Sequence, residues 1–246
     1  MKILLLDIET SPNTAHVWGL WQQNVSINQL QESSYVMCWA AKWLGDKKVM
    51  FDSVHQSKPK DMLKGIHKLL EDADAVVHYN GTKFDIPTLN KEFLLHDLRP
   101  PSPYKQIDLL RSVRSNFRFP SNKLDYVAQR LGLGSKHQHE GHSLWVRCMA
   151  GESNAWKVME AYNKQDVVLL ENVYHKVLPW IKNHPNRNLF SGEEHVCPNC
   201  GSHSIQRRGT ARTISGTYQR YQCTSCGTWS RSTKTDVAHA TIRQAN

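Results

Sequence analysis

The chain has 246 residues, a formal net charge of +9 and 39% hydrophobic residues, enough for one full domain with a buried core and a small appendage. No apolar run approaches the roughly 20 residues of a membrane-spanning helix. The short run after Lys2 ends in acids, so it reads as a strand and not as a signal peptide. The basic balance favours a polyanionic partner, nucleic acid ahead of a membrane surface.

The first predicted element is "LLLDIET", a strand apolar on both faces that runs into Asp7 and Glu9. Residues two apart share a strand face, so these carboxylates would lie side by side, and desolvating two like charges is costly without a cation between them. The runs "TAHVWGLW", "SYVMCWAAKWL" and "KKVMFDSV" read as further strands, with a turn at Leu44-Gly45-Asp46. From Pro59 the period becomes helical, with Met62, Leu63, Ile66, Leu69 and Leu70 on one face. "DAVVHYNG" is a strand, and "DIPTLNKEFLLHDL" a helix with Ile86, Leu89, Phe93 and Leu94 inward. "YKQIDLL" is a strand, and "NKLDYVAQRLG" a helix with Asn122 as N-cap and its end at Gly132. "GLGSKHQHEGHSLW" reads as a loop, followed by a long helix from about Asn154 to Ile181. This order predicts a mixed α/β sheet covered by helices. The polar stretch "NHPNRNLFSGEE" reads as a linker.

The long helix holds an anomaly. Its apolar stripe passes through Met159, Leu169, Leu170, Val173, Val177 and Ile181, and the same face includes Tyr162 and Asp166. Asp85 opens a helix directly after a strand, where α/β proteins place their chemistry; alone it would read as a cap. Asp7, Glu9, Asp85 and Asp166 thus gather at strand ends and inward helix faces, and Mg²⁺ or Mn²⁺ with oxygen ligands is the natural partner for such a group. Two such ions about 4 Å apart can activate water and stabilise a leaving oxygen at a phosphodiester. Tyr162, one turn before Asp166, could hold the attacking water.

"LLLDIET", "HYNGTKFDIPTL" and "YNKQD" resemble, in order and spacing, the three exonuclease motifs of the DEDD 3′→5′ exonuclease superfamily. "HYNGTKFDIPTL" is most similar to the corresponding motif of family B DNA polymerase proofreading domains. The Tyr-x-x-x-Asp of Tyr162 and Asp166 matches the DEDDy branch; the DEDDh branch would want His where Ala161 stands. The resemblance covers roughly residues 1–180. It implies a ribonuclease H-like fold and hydrolysis of DNA from a 3′ end with release of nucleoside 5′-monophosphates. The expected enzyme is stand-alone, of the kind found in phages, in the (host) cytoplasm, with replication or recombination proteins as candidate partners and no membrane. It further implies that Asp7, Glu9 and Asp166 hold the ion that activates water, and that Asp7 bridges to the second ion, supported by Asp85. Asp108 reads either as a partner to that set or as a solvated strand end.

The six cysteines divide into Cys38 and Cys148, read as core thiols, and Cys197, Cys200, Cys223 and Cys226. This usage suits a reducing, cytoplasmic compartment. Two Cys-x-x-Cys knuckles, each followed by glycine, fit tetrahedral Zn²⁺, and so short a segment needs the ion to fold. It resembles a zinc ribbon of the nucleic-acid-binding kind found in transposases. Arg207, Arg208, Arg212, Arg220 and Arg231 interleave with Tyr218, Tyr221 and Trp229, basic groups for phosphate beside aromatic faces for bases; a ribbon that contacts protein is the alternative. The expected division is an exonuclease domain over 1–184, a linker over 185–194 and a ribbon with tail over 195–246. Arg111, Arg114, Arg118, Phe117 and Phe119 could touch substrate or form a solvated loop, and His137, His139 and His142 read as solvated loop residues before a metal site. Rival readings are an exoribonuclease on the same fold and a non-catalytic nucleic-acid-binding protein.

Overall fold

A computed structural model describes residues 1–193, 195–214 and 216–235; the expected tail beyond 235 lies outside the described residues. The chain divides into two compact units, Lys2–Val173 and the part from Tyr174 onward.

The first unit is built on a five-stranded sheet of order β5-β4-β1-β6-β7, with β1 Ile3–Thr10, β4 Val36–Trp43, β5 Met50–Ser53, β6 Ala75–His78 and β7 Lys105–Asp108. The small strands β2 Thr14–Ala15 and β3 Leu30–Glu32 pair separately. β1 is antiparallel to β4 and parallel to β6. That central position explains its apolar run on both faces, because helices cover each side of the sheet. Leu4, Leu6 and Ile8 cluster with Met62, Leu63, Ile66 and Leu70 of α1 (Pro59–Glu71) and with Ile86, Leu89 and Phe93 of α2 (Asp85–Leu95). Across the sheet, Cys38 of β4 packs with Leu144 and Cys148 of α5 (His142–Met149) and with Trp156, Met159 and Tyr162 of α6 (Ser153–Val177). Each such buried side chain contributes about 1.5–3 kcal/mol. The helices α3 (Leu109–Asn116) and α4 (Leu124–Arg130) complete the unit. This is the expected mixed α/β sheet flanked by helices.

Several local expectations need correction. Of "TAHVWGLW" only Thr14 and Ala15 pair, and Trp18, Leu20 and Trp21 are 98%, 86% and 85% exposed. Their aromatic β-propensity reflects packing that no facing layer supplies here. Leu94 points outward at 78% exposed, because Ile86, Leu89 and Phe93 already carry the buried seam of α2. The residue before α4 is Lys123, not Asn122, whose carbonyl accepts the Tyr79 hydroxyl at 2.6 Å. The loop through residues 132–145 gives way to α5 at His142, because Leu144 and Cys148 seat one helical face in the core. Asp108 is buried and so is not a solvated strand end. It caps α3 by accepting from Leu110 N at 3.0 Å and also accepts from Asn80 N at 3.0 Å. α6 ends at Val177 and a 3₁₀ turn continues over Leu178–Trp180.

The second unit carries the short helix α7 Asn188–Ser191, within the stretch read as a linker, and a three-stranded sheet of order β10-β9-β8. Those strands are Ile205–Arg212 (β8), Thr217–Cys223 (β9) and Trp229–Arg231 (β10). The division at Tyr174 lies ahead of residue 185, inside α6, because the helix's last turn packs within the second unit. The Tyr174 hydroxyl is 2.7 Å from His184 Nε2, and Asn199 Nδ2 donates to Leu178 O at 3.2 Å.

Candidate metal sites and nucleic-acid surface

Strand β1 presents Leu5, Asp7 and Glu9 on one face and Leu4, Leu6 and Ile8 on the other. Its parallel pairing with β6 ends at Leu5–Val77, which leaves the Ile8 N–H without a strand partner on that edge. Asp85 Oδ1 accepts it at 3.2 Å. The turn that brings Asp85 there is tight. Asn80 has a φ of 71°, Gly81 N donates to His78 Nδ1 at 3.0 Å, and Ile86 N donates back to Gly81 O at 2.9 Å. A Cβ at Gly81 would lie 2.4 Å from His78 Cγ, so only glycine fits. Gly81→Ala should therefore destabilise the chain by about 1–3 kcal/mol through overpacking, read as a lowered urea midpoint; an unchanged midpoint would mean that the turn relaxes freely.

Helix α6 supplies Tyr162, Asn163 and Asp166 to the same place. Ligand oxygens of Asp7, Glu9 and Asp166 all lie within 4.8 Å of one another. Asp166 is 1% exposed, and its Oδ1 is buried with no hydrogen-bond partner among the described residues. Three convergent hard-oxygen donors with an unsatisfied buried oxygen fit a divalent cation such as Mg²⁺ or Mn²⁺.

Two residues absent from the sequence-derived set complete the group. Asn163 Nδ2 donates to Asp7 Oδ2 at 2.7 Å. Lys136 forms an ion pair with Asp166, and its Nζ donates to the Tyr162 hydroxyl at 3.1 Å. The Lys136 backbone N–H is held by Asp125 Oδ1 at 2.8 Å. Asn163 could have been found, since it lies on the buried stripe between Met159 and Asp166. Lys136 sits in a loop without periodicity and leaves no such signal. His139 packs its ring 4.6 Å from Tyr162 and 5.2 Å from Trp145, whose own ring lies 6.0 Å from Tyr162. Among the described residues, His137, His139 and His142 do not belong to a group close enough to share an ion.

Electrostatics follow from burial. Desolvation first, then the charges of Glu9, Asp166 and Asp85, hold the Asp7 carboxyl well above its ordinary range. Burial raises Glu9 to about 8, against the pull of Lys136, and Asp85 to about 7. Asp166 is raised by burial, with Lys136 opposing. These carboxyls hold protons more tightly folded than unfolded. Between the ordinary Glu value of 4.5 and about 8, the folded state therefore binds more protons, and stability falls as pH rises through that window. A thermal midpoint measured without added cation should drop from pH 5 to pH 8, and Mg²⁺ at pH 8 should restore it. A midpoint indifferent to both would remove the cluster as a cation site.

Beside Asp7 opens a cavity of about 590 Å³, whose walls include Tyr79, Arg114, Lys123, Asp125 and Lys136. Arg111 and Arg114 lie in α3 and not in a loop, and Arg114 lines the cavity; Phe117 and Phe119 pack on each other at 5.8 Å.

In the second unit, Cys197, Cys200, Cys223 and Cys226 converge with all four sulfurs within 4.8 Å. None forms a disulfide. The Cys197–Cys226 and Cys200–Cys223 sulfurs are 3.6 and 3.7 Å apart. Tetrahedral Zn–S bonds of about 2.3 Å require sulfurs about 3.8 Å apart, so the tetrad fits Zn²⁺. The two knuckles repeat one geometry, Gly201 N donating to Cys197 O and Gly227 N to Cys223 O, both at 2.9 Å. Strand register separates the basic and aromatic residues. Arg207 pairs with Tyr221 and Arg212 with Thr217, on one face; Trp229 pairs with Gln222 and Arg231 with Arg220, on the other. Arg208 lies at the bulge between Arg207 and Thr210.

A central strand with paired acids, a covering helix that brings Asp166 within 4.8 Å of them, and a strand-to-helix turn that holds Asp85 beside the strand but outside that close group fit a ribonuclease H-like nuclease fold. The family model of the RNase_H superfamily matches residues 4–178, and the chain belongs to that superfamily. No curated protein matches it. Among solved structures, it is similar to the family B DNA polymerase from the hyperthermophilic archaeon Pyrobaculum calidifontis, with a TM-score of 0.53 and 12% identity. The match covers 90% of this chain and 33% of that one; the chain spans about a third of the polymerase's length, and the likeness is one of fold. No helix among the described residues is long and apolar enough to cross a membrane.

Proposed function

We propose that the chain is a metal-dependent 3′→5′ exonuclease of the DEDDy type that hydrolyses DNA phosphodiesters, with its cysteine tetrad folding a zinc ribbon that holds nucleic acid. The observation that carries this reading is the convergence of Asp7, Glu9 and Asp166 within 4.8 Å, beside Tyr162 and a cavity with cationic walls. Asp7, Glu9, Asp85 and Asp166 would hold Mg²⁺ or Mn²⁺, which when bound polarises a phosphodiester and lowers the pKa of water.

The chain's own residues do the rest. Asn163 fixes the Asp7 carboxylate, and Asp85, tied to the Ile8 N–H, closes the strand-end side of the group. Burial raises the Tyr162 phenol well above its ordinary 10.0, so it keeps its proton and can orient an attacking water by hydrogen bonding. Lys136 offsets the cluster's negative charge, and Arg114 and Lys123 offer cations to substrate phosphates. A ribbon loaded with zinc would present its arginines on a rigid sheet.

A labelled panel of single-stranded DNA, duplex DNA and RNA, with Mg²⁺, Mn²⁺ or neither, tests the proposal. Metal-dependent shortening of DNA from its 3′ end is expected. Preferential RNA shortening would favour the exoribonuclease reading, and binding without cleavage the non-catalytic one. Tyr162→Phe should slow single-turnover cleavage about 10²-fold, the scale of one positioned proton-handling group, with the thermal midpoint unchanged. An unaltered rate would make Tyr162 a packing residue.

A further inference from the structure

The three-stranded sheet carries an unbalanced charge. Residues 195–235 contain six Arg and Lys and no Asp or Glu. Two of those cations, Arg220 and Arg231, stand directly opposite each other on β9 and β10, and like charges in that arrangement destabilise a sheet. Each is exposed, and each lies over an aromatic ring on the same face. The Arg220 guanidinium is 4.9 Å from the Trp229 ring centre, and that of Arg231 is 4.0 Å from Tyr218. Both contacts are the diagonal neighbours that strand register dictates. Arg220 Nε donates to the Arg208 carbonyl at 2.9 Å, which fixes the plane of its guanidinium and leaves its terminal N–H groups available. Trp229 remains 51% exposed despite its arginine. An unneutralised cation pair set in a row of half-open aromatic rings calls for a ligand that is polyanionic and has flat apolar faces.

We propose that the face bearing Tyr218, Arg220, Trp229 and Arg231 is a binding surface for unpaired nucleic-acid strands. Its guanidiniums would contact backbone phosphates, and bases would stack on the rings and on the outer guanidinium planes. This deepens the reading of the chain as an enzyme of nucleic acid and rests on it for the identity of the polyanion. A duplex hides its base faces, so the surface should prefer single strands. DNA and RNA share the chemistry that it reads. The opposite face, with Arg207, Arg212 and Tyr221, lacks these paired stacks and is not part of the surface, which narrows the set that sequence alone suggested.

The test uses the full-length, zinc-loaded chain with Asp7→Asn to prevent cleavage, and fluorescence anisotropy with labelled oligothymidylate, oligouridylate and a DNA duplex. Trp229→Ala and Tyr218→Ala should each weaken single-strand binding about tenfold, the effect of losing one base stack, and Trp229→Phe should restore most of it. Arg220→Gln and Arg231→Gln should each lower the slope of log affinity against log salt by about 1. Arg207→Gln with Tyr221→Ala should stay within about twofold of the parent. Zinc content equal to that of the parent identifies variants that keep the ribbon folded, and Trp229→Phe supplies the comparison should the alanine variants lose zinc. Unchanged affinity in the Trp229 and Tyr218 variants, equal loss from the opposite-face variant, or preference for the duplex would each overturn the assignment. Cleavage by the otherwise native chain is scored separately. Cleavage with indifferent face variants removes the surface and keeps the nuclease reading; selective binding loss with no cleavage does the reverse.

Discussion

Asp7→Ala is expected to reduce cleavage by at least about 10³-fold, because losing metal placement removes several kcal/mol of transition-state stabilisation. Asp166→Ala should do the same, since both carboxylates belong to the group within 4.8 Å. Substrate binding should largely survive, as it depends on cationic and aromatic groups that these changes leave in place. Stability distinguishes lost chemistry from lost folding. Asp7 is held well above its ordinary range by burial and by Glu9, Asp166 and Asp85, so removing its carboxylate relieves repulsion while leaving Asn163 Nδ2 only its longer bond to the residue 7 carbonyl, at 3.4 Å. The two effects oppose each other, and the thermal midpoint without added cation should change little at pH 8. Mg²⁺ should then no longer raise it. Near-parental turnover in either purified variant would sink the assignment of the site.

Lys136 sets the local charge balance of the cluster. Lys136→Met would remove the charge paired with Asp166, whose Oδ1 already lacks a hydrogen-bond partner among the described residues. Lys136 is held above its ordinary value although burial opposes this, with Asp166 the leading cause of the rise. The folded chain therefore carries its own counter-charge at the place where the acids are most crowded.

What the sequence made legible was periodicity. Asp7 and Glu9 announce themselves by interrupting a two-sided apolar strand, and Asp166 by standing in the inward stripe of α6. Asn163 lies on that stripe as well, but an amide there carries no charge anomaly to mark it. Lys136 and Trp145 come from the segment between α4 and α6, where no repeat links a residue to its target. Their roles depend on the Asp125 anchor and on the seating of α5, both products of tertiary packing. The exposed Trp18 and Trp21 mislead in the opposite sense. They raise the local β-propensity, yet propensity reports fit to a half-buried surface, and no such surface faces them. In the second unit, the Cys-x-x-Cys spacing specified the tetrad directly, whereas the separation of Arg207 and Tyr221 from Arg220 and Trp229 needed strand register that alternation in β9 alone does not fix.

Cys223→Ser should abolish the folded ribbon while sparing the site in the first unit. Cys223 is 1% exposed, and its carbonyl and amide tie the second knuckle together through Gly227 N and Thr228 O, both at 2.9 Å. A serine oxygen is a poor substitute for thiolate at a zinc site of this kind. If the tetrad holds zinc as proposed, the ion would supply most of the folding free energy of so small a sheet, about 10–16 kcal/mol in zinc-finger peptides. The variant should lose its zinc, together with the salt-dependent part of nucleic-acid binding that the ribbon's arginines contribute. Single-turnover cleavage at saturating substrate should change much less, because Asp7, Glu9, Asp85, Tyr162 and Asp166 all lie in the first unit. Truncation near Gly192 should give the same pattern. Zinc stoichiometry, affinity against salt and single-turnover rate, measured on all three proteins, separate the contributions. Parental affinity and salt slope in a zinc-free ribbon would show that this unit does not hold nucleic acid, and the alternative of a ribbon that docks on protein would take its place.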